Sequence, residues 1–154
     1  MVGGTTDPGY VCFHNALELA RRGHEVTVFT LDHGIPPDFR DPEEFRVVRL
    51  RTSMKLGDGG SVPSLYGALK GFDAVHLHYP FYGSGEYVWL ASLLRGQKYL
   101  LTYHMDVHGT TPFKKLAIGA YEPTLGRRIL RGAARVGAVS MAHLMSSRAA
   151  HVVD

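Results

Sequence analysis

His76 and His78 stand two residues apart in the stretch GFDAVHLHYPFYG, residues 71–83. In an extended strand, residues i and i+2 share a face, so both imidazoles leave the backbone on one side. Such a pair can supply two nitrogen ligands to a metal, with His104 or Asp106, in TYHMD, as a third. The same residues also read as one histidine hydrogen-bonded inside the fold and one, His78, at the lip of a cleft. His104 closes an apolar run and begins a glycine-containing loop. Asp106, two residues on, would bind hydroxyls of a ligand or cap the following turn. Gly3 and Gly4 precede a helical stretch, where backbone N–H groups and the helix dipole favour a phosphate; a simple turn is the other reading. Cys12 is the only cysteine, so it forms no internal disulfide and no C-x-x-C pair. It reads as a small apolar residue rather than a nucleophile.

The elements that must position these groups alternate. Residues 10–22 predict a helix that Gly23 stops, and HEVTVFTL (24–31) predicts a strand. The Pro- and acid-rich segment 32–45 predicts a loop, RVVRLR (46–51) an edge strand, and GDGGSVP (57–63) a flexible loop. A short helix over 63–70 leads into DAVHLH (73–78), whose continuous apolar character suits a strand covered on both faces. A helix over 85–94, the strand KYLLTYH (98–104) and a long helix over 112–130, bent near Pro123, come next. RVGAVS (135–140) predicts a strand, MAHLMSSRAA (141–150) a short helix, and HVVD (151–154) the start of a further strand. Strands alternating with helices predict an α/β fold with a doubly wound, Rossmann-like parallel sheet. Ligands of such sheets bind beyond the carboxyl ends of the strands. His78, Tyr79, His104, Asp106 and Ser140 all fall there, and so are expected to line one crevice. The chain opens on a Gly-Gly loop without the central strand that precedes such a loop in a Rossmann unit, and it ends as a strand begins.

The chain has 154 residues, 45% of them hydrophobic and 20% charged, enough for one domain with its own core. Net charge is +3, with the acidic excess in residues 1–50 and the basic excess in 51–154. The basic half suits an anionic partner without identifying one. The longest strongly apolar stretch, 87–94, falls well short of the ~20 residues that span a bilayer. The first residues lack the features of a signal peptide, so a cytoplasmic location is the default expectation.

The segments GG, ALELARRGHEVTVFT, FDAVHLHYP, YLLTYHMDVHG and YEPTLGRRILRGAARVGAVSMAHL together resemble, in order, the N-terminal domain of family 4 glycosyltransferases. The resemblance runs from Gly3 to about Val153. It implies a GT-B enzyme, with two Rossmann-like domains facing each other across a cleft. It implies transfer of a sugar from a nucleotide-sugar to an acceptor with retention, with no bound metal and no cofactor beyond the nucleotide-sugar co-substrate. Residues 1–154 would then be the acceptor-side domain, and the donor-binding C-terminal domain its missing partner. On that reading the chain is a fragment, inactive by itself. The resemblance makes His104 the catalytic candidate, hydrogen-bonded to the transferring sugar; a neutral imidazole, donor at one nitrogen and acceptor at the other, suits a hydroxyl. It sets Gly3 and Gly4 against the donor diphosphate or the acceptor. Departures are the absent first strand, longer spacing between Gly4 and Gly23, and Thr5-Thr6-Asp7-Pro8 where polar or basic residues commonly follow the glycines.

Residues 111–135 carry six basic residues and one acid, interleaved with Leu116, Ile118, Tyr121, Leu125, Ile129 and Leu130. Such a face would rest on anionic lipid at the inner surface of a membrane, or be a solvated helix with its apolar side in the core. No nucleic-acid partner is expected. Two rival functions stay open on the residues: a metal-dependent hydrolase built on His76, His78 and His104 or Asp106, and a sugar- or nucleotide-binding domain acting alone.

Overall fold

The computed structural model describes residues 8–32, 40–56 and 59–150. Helix α1 spans Pro8–Arg21 and ends at Gly23, whose positive φ of 86° suits a residue without Cβ. Strands β1 (Thr27–Leu31) and β2 (Arg46–Leu50) pair in parallel, Thr27 opposite Arg46 and Leu31 opposite Leu50. Ala16 and Leu17 of α1 meet Phe45 in a small core, with Phe13, Val28 and Val47 packed around it.

The larger unit is a parallel sheet in the order β5 (Val75–Tyr79), β6 (Tyr99–Tyr103), β7 (Arg135–Ala138). Helix α2 (Ser64–Ala68) precedes β5, and α3 (Gly85–Arg95) crosses from β5 to β6. Gly96, in the left-handed region, stops α3, its N–H donating to the Ser92 carbonyl. Between β6 and β7 run α4 (Pro112–Tyr121), a π turn (Glu122–Gly126) and α5 (Arg127–Gly132); α6 (Met141–Ser146) follows β7. The bend expected near Pro123 takes the form of that π turn, because proline has no N–H for the regular helical bond.

One face of this sheet is sealed. Val75, Leu77 and Tyr79 of β5 and Tyr99, Leu101 and Tyr103 of β6 are buried with Val88 and Ala91 of α3 and Ile129 and Leu130 of α5. Each fully buried side chain of this size contributes roughly 1.5–3 kcal/mol. The intervening residues are not sealed: His76 and Leu100 are exposed, and His78 and Thr102 are half-buried. The strand expected to be covered on both faces is therefore covered on one. Parallel strands and alternating helices make this the expected α/β fold, but β1-β2 and β5-β6-β7 are two separate sheets among the described residues.

The glycine-rich stretch expected to be a flexible loop contains strand β4 (Gly59–Ser61), antiparallel to β3 (Met54–Leu56). The hairpin docks on the loop after β5: Gly60 N–H donates to the Tyr82 carbonyl at 3.0 Å, and Ser84 Oγ donates to the Gly60 carbonyl at 2.6 Å. Gly60 serves close backbone approach: a Cβ there would lie 3.0 Å from the Met54 carbonyl oxygen. A Cβ on Gly83 would lie 2.7 Å from the Gly60 carbonyl carbon, while one on Gly71 would meet nothing within 4 Å. Both glycines have positive φ, 81° and 92°. Gly71→Ala should therefore cost only the conformational penalty, about 1–2 kcal/mol. Gly83→Ala should cost about 1–3 kcal/mol more through the backbone clash. Urea unfolding of the two variants checks this; equal losses would show that the hairpin does not press on the loop.

Candidate functional site

The period of two along β5 and β6 sends tyrosines into the core and histidines out of it. On the open face, parallel register places His78 opposite Thr102 and His76 opposite Leu100. Each histidine then reaches one step diagonally along β6. His76 Nε2 lies 2.7 Å from Thr102 Oγ1, and His78 Nδ1 lies 2.8 Å from His104 Nε2. The centroids of the His78 and His104 rings are 5.1 Å apart and their planes differ by 20°. That separation is the N···N distance plus two ring radii, so the rings meet edge to edge in a nearly common plane and do not stack. His104 continues the ladder beyond β6, its N–H donating to the Tyr79 carbonyl at 2.9 Å. It is 5% exposed.

An N–H···N bond between imidazoles needs a proton on one nitrogen and a lone pair on the other. Burial, then the neighbouring His76 and His104, pull the His78 pKa down to about 3 from an ordinary 6.5. Partial desolvation among its strand neighbours also lowers that of His76, although part of the ring stays exposed. His76 and His78 are thus neutral near pH 7 and suited to hydrogen bonding rather than ion pairing.

The facing nitrogens of His78 and His104 are spent on each other, which does not suit two ligands converging on a metal. Among the described residues no group of three or more His, Cys, Asp or Glu side chains is placed to hold one. Burial pushes the Cys12 thiol up to about 11, which keeps it protonated and a poor nucleophile.

The other expected site residues are placed as follows. Asp106 accepts from the Tyr103 hydroxyl and, through Oδ1 and Oδ2, from Arg148 N–H at 3.3 and 3.2 Å. It ties the end of β6 to the segment after α6. Ser140 is the N-cap of α6, its Oγ accepting from His143 N–H at 3.1 Å. Tyr79 is 1% exposed and points to the sealed face, its hydroxyl 3.2 Å from both Glu122 oxygens. Gly3 and Gly4 lie outside the described residues. The structure thus joins His78 with His104 directly, leaves Asp106 two residues beyond them, and puts Tyr79's side chain on the opposite side of the sheet.

Glu122 was not singled out by sequence, although it is the one acid of the basic segment 111–135. The Tyr79 and Tyr82 hydroxyls both donate to it. Burial first, then the Glu122 charge, hold the Tyr79 hydroxyl far above the ordinary tyrosine range. Thr102, the partner of His76, was also missed; its only signal is its register opposite His78.

An open depression lined by Lys70, Phe72, Asp73, Arg95 and Lys98 lies at the amino ends of β5 and β6. Parallel strands receive ligands at their carboxyl ends, where the histidines, Asp106 and Ser140 lie. Parallel strands alternating with helices, with the imidazoles of His78 and His104 at that edge, place the chain in the Rossmann-like α/β class. The chain matches the glycosyl transferase 4-like domain over residues 8–153, and it belongs to that family. Membership implies a nucleotide-sugar donor and an acceptor. No curated protein is a significant match. No helix among the described residues is long and apolar enough to cross a membrane.

The depressed His78 pKa has a consequence for stability. Between pH 6.5 and about 3 the unfolded chain carries a proton on this residue that the folded chain does not. Stability therefore falls as pH is lowered through that window. The urea midpoint should be lower near pH 5 than near pH 7.5, and the drop should shrink in His78→Asn. An undiminished drop in the variant would assign the effect to other groups.

Proposed function

We propose that this chain is the acceptor-side domain of a retaining glycosyltransferase, moving a sugar from a nucleotide-sugar to an acceptor. The observation that carries this reading is His104 at the carboxyl edge of β6, locked to His78, in a chain of this family. A neutral imidazole there would position a sugar hydroxyl without introducing charge. Binding energy of this kind accelerates transfer where it is stronger in the transition state than in the ground state. A second, donor-binding domain would hold the nucleotide and stabilise the departing diphosphate, the larger electrostatic task. The chain alone would then not turn over.

In this reading Gly3 and Gly4 abut the phosphate or the acceptor, and His78 completes the polar edge. Tyr79 acts through its carbonyl, which accepts from His104. Asp106 and Ser140 shape the acceptor side by fixing the loops after β6 and β7. No metal or further cofactor is required.

Of the two readings of residues 111–135, packing into the core describes Ile129 and Leu130, while contact with anionic lipid gains support from α4. That helix buries no residue; Phe113 and Leu116 are 79% and 73% exposed, beside Lys114 and Lys115. The alternative of an apolar side packed into the core does not describe these two residues. Apolar groups among lysines suit the headgroup boundary of an anionic bilayer, and a cytoplasmic enzyme would sit peripherally there.

In the complete two-domain enzyme, His104→Ala should lower kcat about 10- to 100-fold, the equivalent of one or two substrate hydrogen bonds. Unchanged turnover would end the role given to His104. Binding of the chain to phosphatidylserine vesicles should be salt-sensitive and should be lost in a Phe113→Asp, Leu116→Asp double variant. Absence of wild-type binding at low salt would remove the membrane contact.

A further inference from the structure

We propose that α4 is a surface-docking arm whose attachment to an anionic bilayer stills the loop 105–111, an inference that rests on the membrane contact argued above. Short helices gain little from propensity alone and are held chiefly by a packed face. α4 lacks such a face, since none of its ten residues is buried. The cap at its start is local: Thr111 Oγ1 accepts from Lys114 N–H at 3.2 Å, within the first turn. Its carboxyl end is fastened to the body of the domain. The Tyr121 ring meets that of Tyr82 edge to face at 5.0 Å, and Tyr82 donates to Glu122 in the π turn. A helix tied at one end and exposed along most of its length opens at little cost.

Charge selects what α4 meets. Lys114, Lys115, Arg127, Arg128 and Arg131 are all exposed, and among the described residues none of them pairs with a carboxylate. The single acid of the segment, Glu122, is half-buried and accepts from Tyr79 and Tyr82. The segment thus presents five cations without local compensation, and the apolar Phe113 and Leu116 stand beside the two lysines. A bilayer of anionic lipid complements both the charge and the apolar groups.

Gly109 links this helix to the acceptor edge. A Cβ there would lie 2.6 Å from the Lys114 carbonyl carbon, so the loop after β6 leans on the backbone of α4. The loop follows His104 and holds Asp106, which accepts from the Tyr103 hydroxyl and from Arg148 N–H. Those bonds pin its near end. Its far end is only as still as the helix it leans on, so clamping α4 at a surface restrains the loop by direct packing.

Amide hydrogen exchange of the chain tests both halves. In solution the amides of 116–121 should exchange at least about a hundredfold faster than those of β6; equal rates would overturn the arm. With phosphatidylserine vesicles at low salt, 113–121 and 105–111 should slow together by about tenfold or more, and phosphatidylcholine vesicles should leave both unchanged. Slowing confined to 113–121 would overturn the coupling, and no slowing would overturn the docking. Gly109→Ala, which forces the loop off α4, should keep the slowing of 113–121 and lose that of 105–111. Retained slowing in both would overturn Gly109 as the link. Sugar transfer stands apart from these outcomes and is decided by turnover of the two-domain His104→Ala variant.

Discussion

Three buried tyrosines on one face of the β5–β6 pair hold the larger unit together. A phenol can fill a core, but its hydroxyl must find a partner when it leaves water. Tyr79 reaches Glu122 in the π turn, Tyr99 reaches the Ile129 carbonyl in α5, and Tyr103 reaches Asp106 in the loop after β6. Each strand position is thus tied to a different following segment. Aliphatic residues of similar bulk would pack there without specifying where α5 or the loop must sit. The sealed face consequently sets the path of the chain as well as its burial.

The histidines inherit their placement from that arrangement. Because side chains alternate along a strand, committing residues 75, 77 and 79 to the core commits 76 and 78 to the other side. Register with β6 then brings Thr102 and His104 within reach of them. Asp106, engaged with Tyr103 and Arg148, belongs to the scaffold around this edge. The sealed face provides rigidity, and the opposite one presents neutral nitrogen atoms able to bond without charge.

Much of this was legible in the residues. The β-branched and aromatic runs located β1, β2, β5, β6 and β7, and Gly23 correctly ended α1. The position of His78 near the carboxyl end of β5 and of His104 just beyond β6 followed from the alternation of elements. The covering of β5 was misread, since a run such as AVHLH looks continuously apolar until its histidines are weighed separately. The β3–β4 hairpin was missed because its glycines carry no strand propensity; backbone contacts with Tyr82 and Ser84 impose the extended form. The pairing of His78 with His104 crosses 26 positions and depends on strand register, which local pattern does not encode. Glu122 was hidden for a similar reason, since its partners Tyr79 and Tyr82 lie some forty residues earlier.

The division into two parallel sheets governs how the molecule meets other polypeptide. Among the described residues, β1 bonds only to β2, and β5 only to β6. Each retains one flank of amides and carbonyls outside any ladder, and such flanks accept extended backbone with little regard for side-chain identity. Among the described residues, β2 and β7 keep such a flank as well, so both sheets are open at each side.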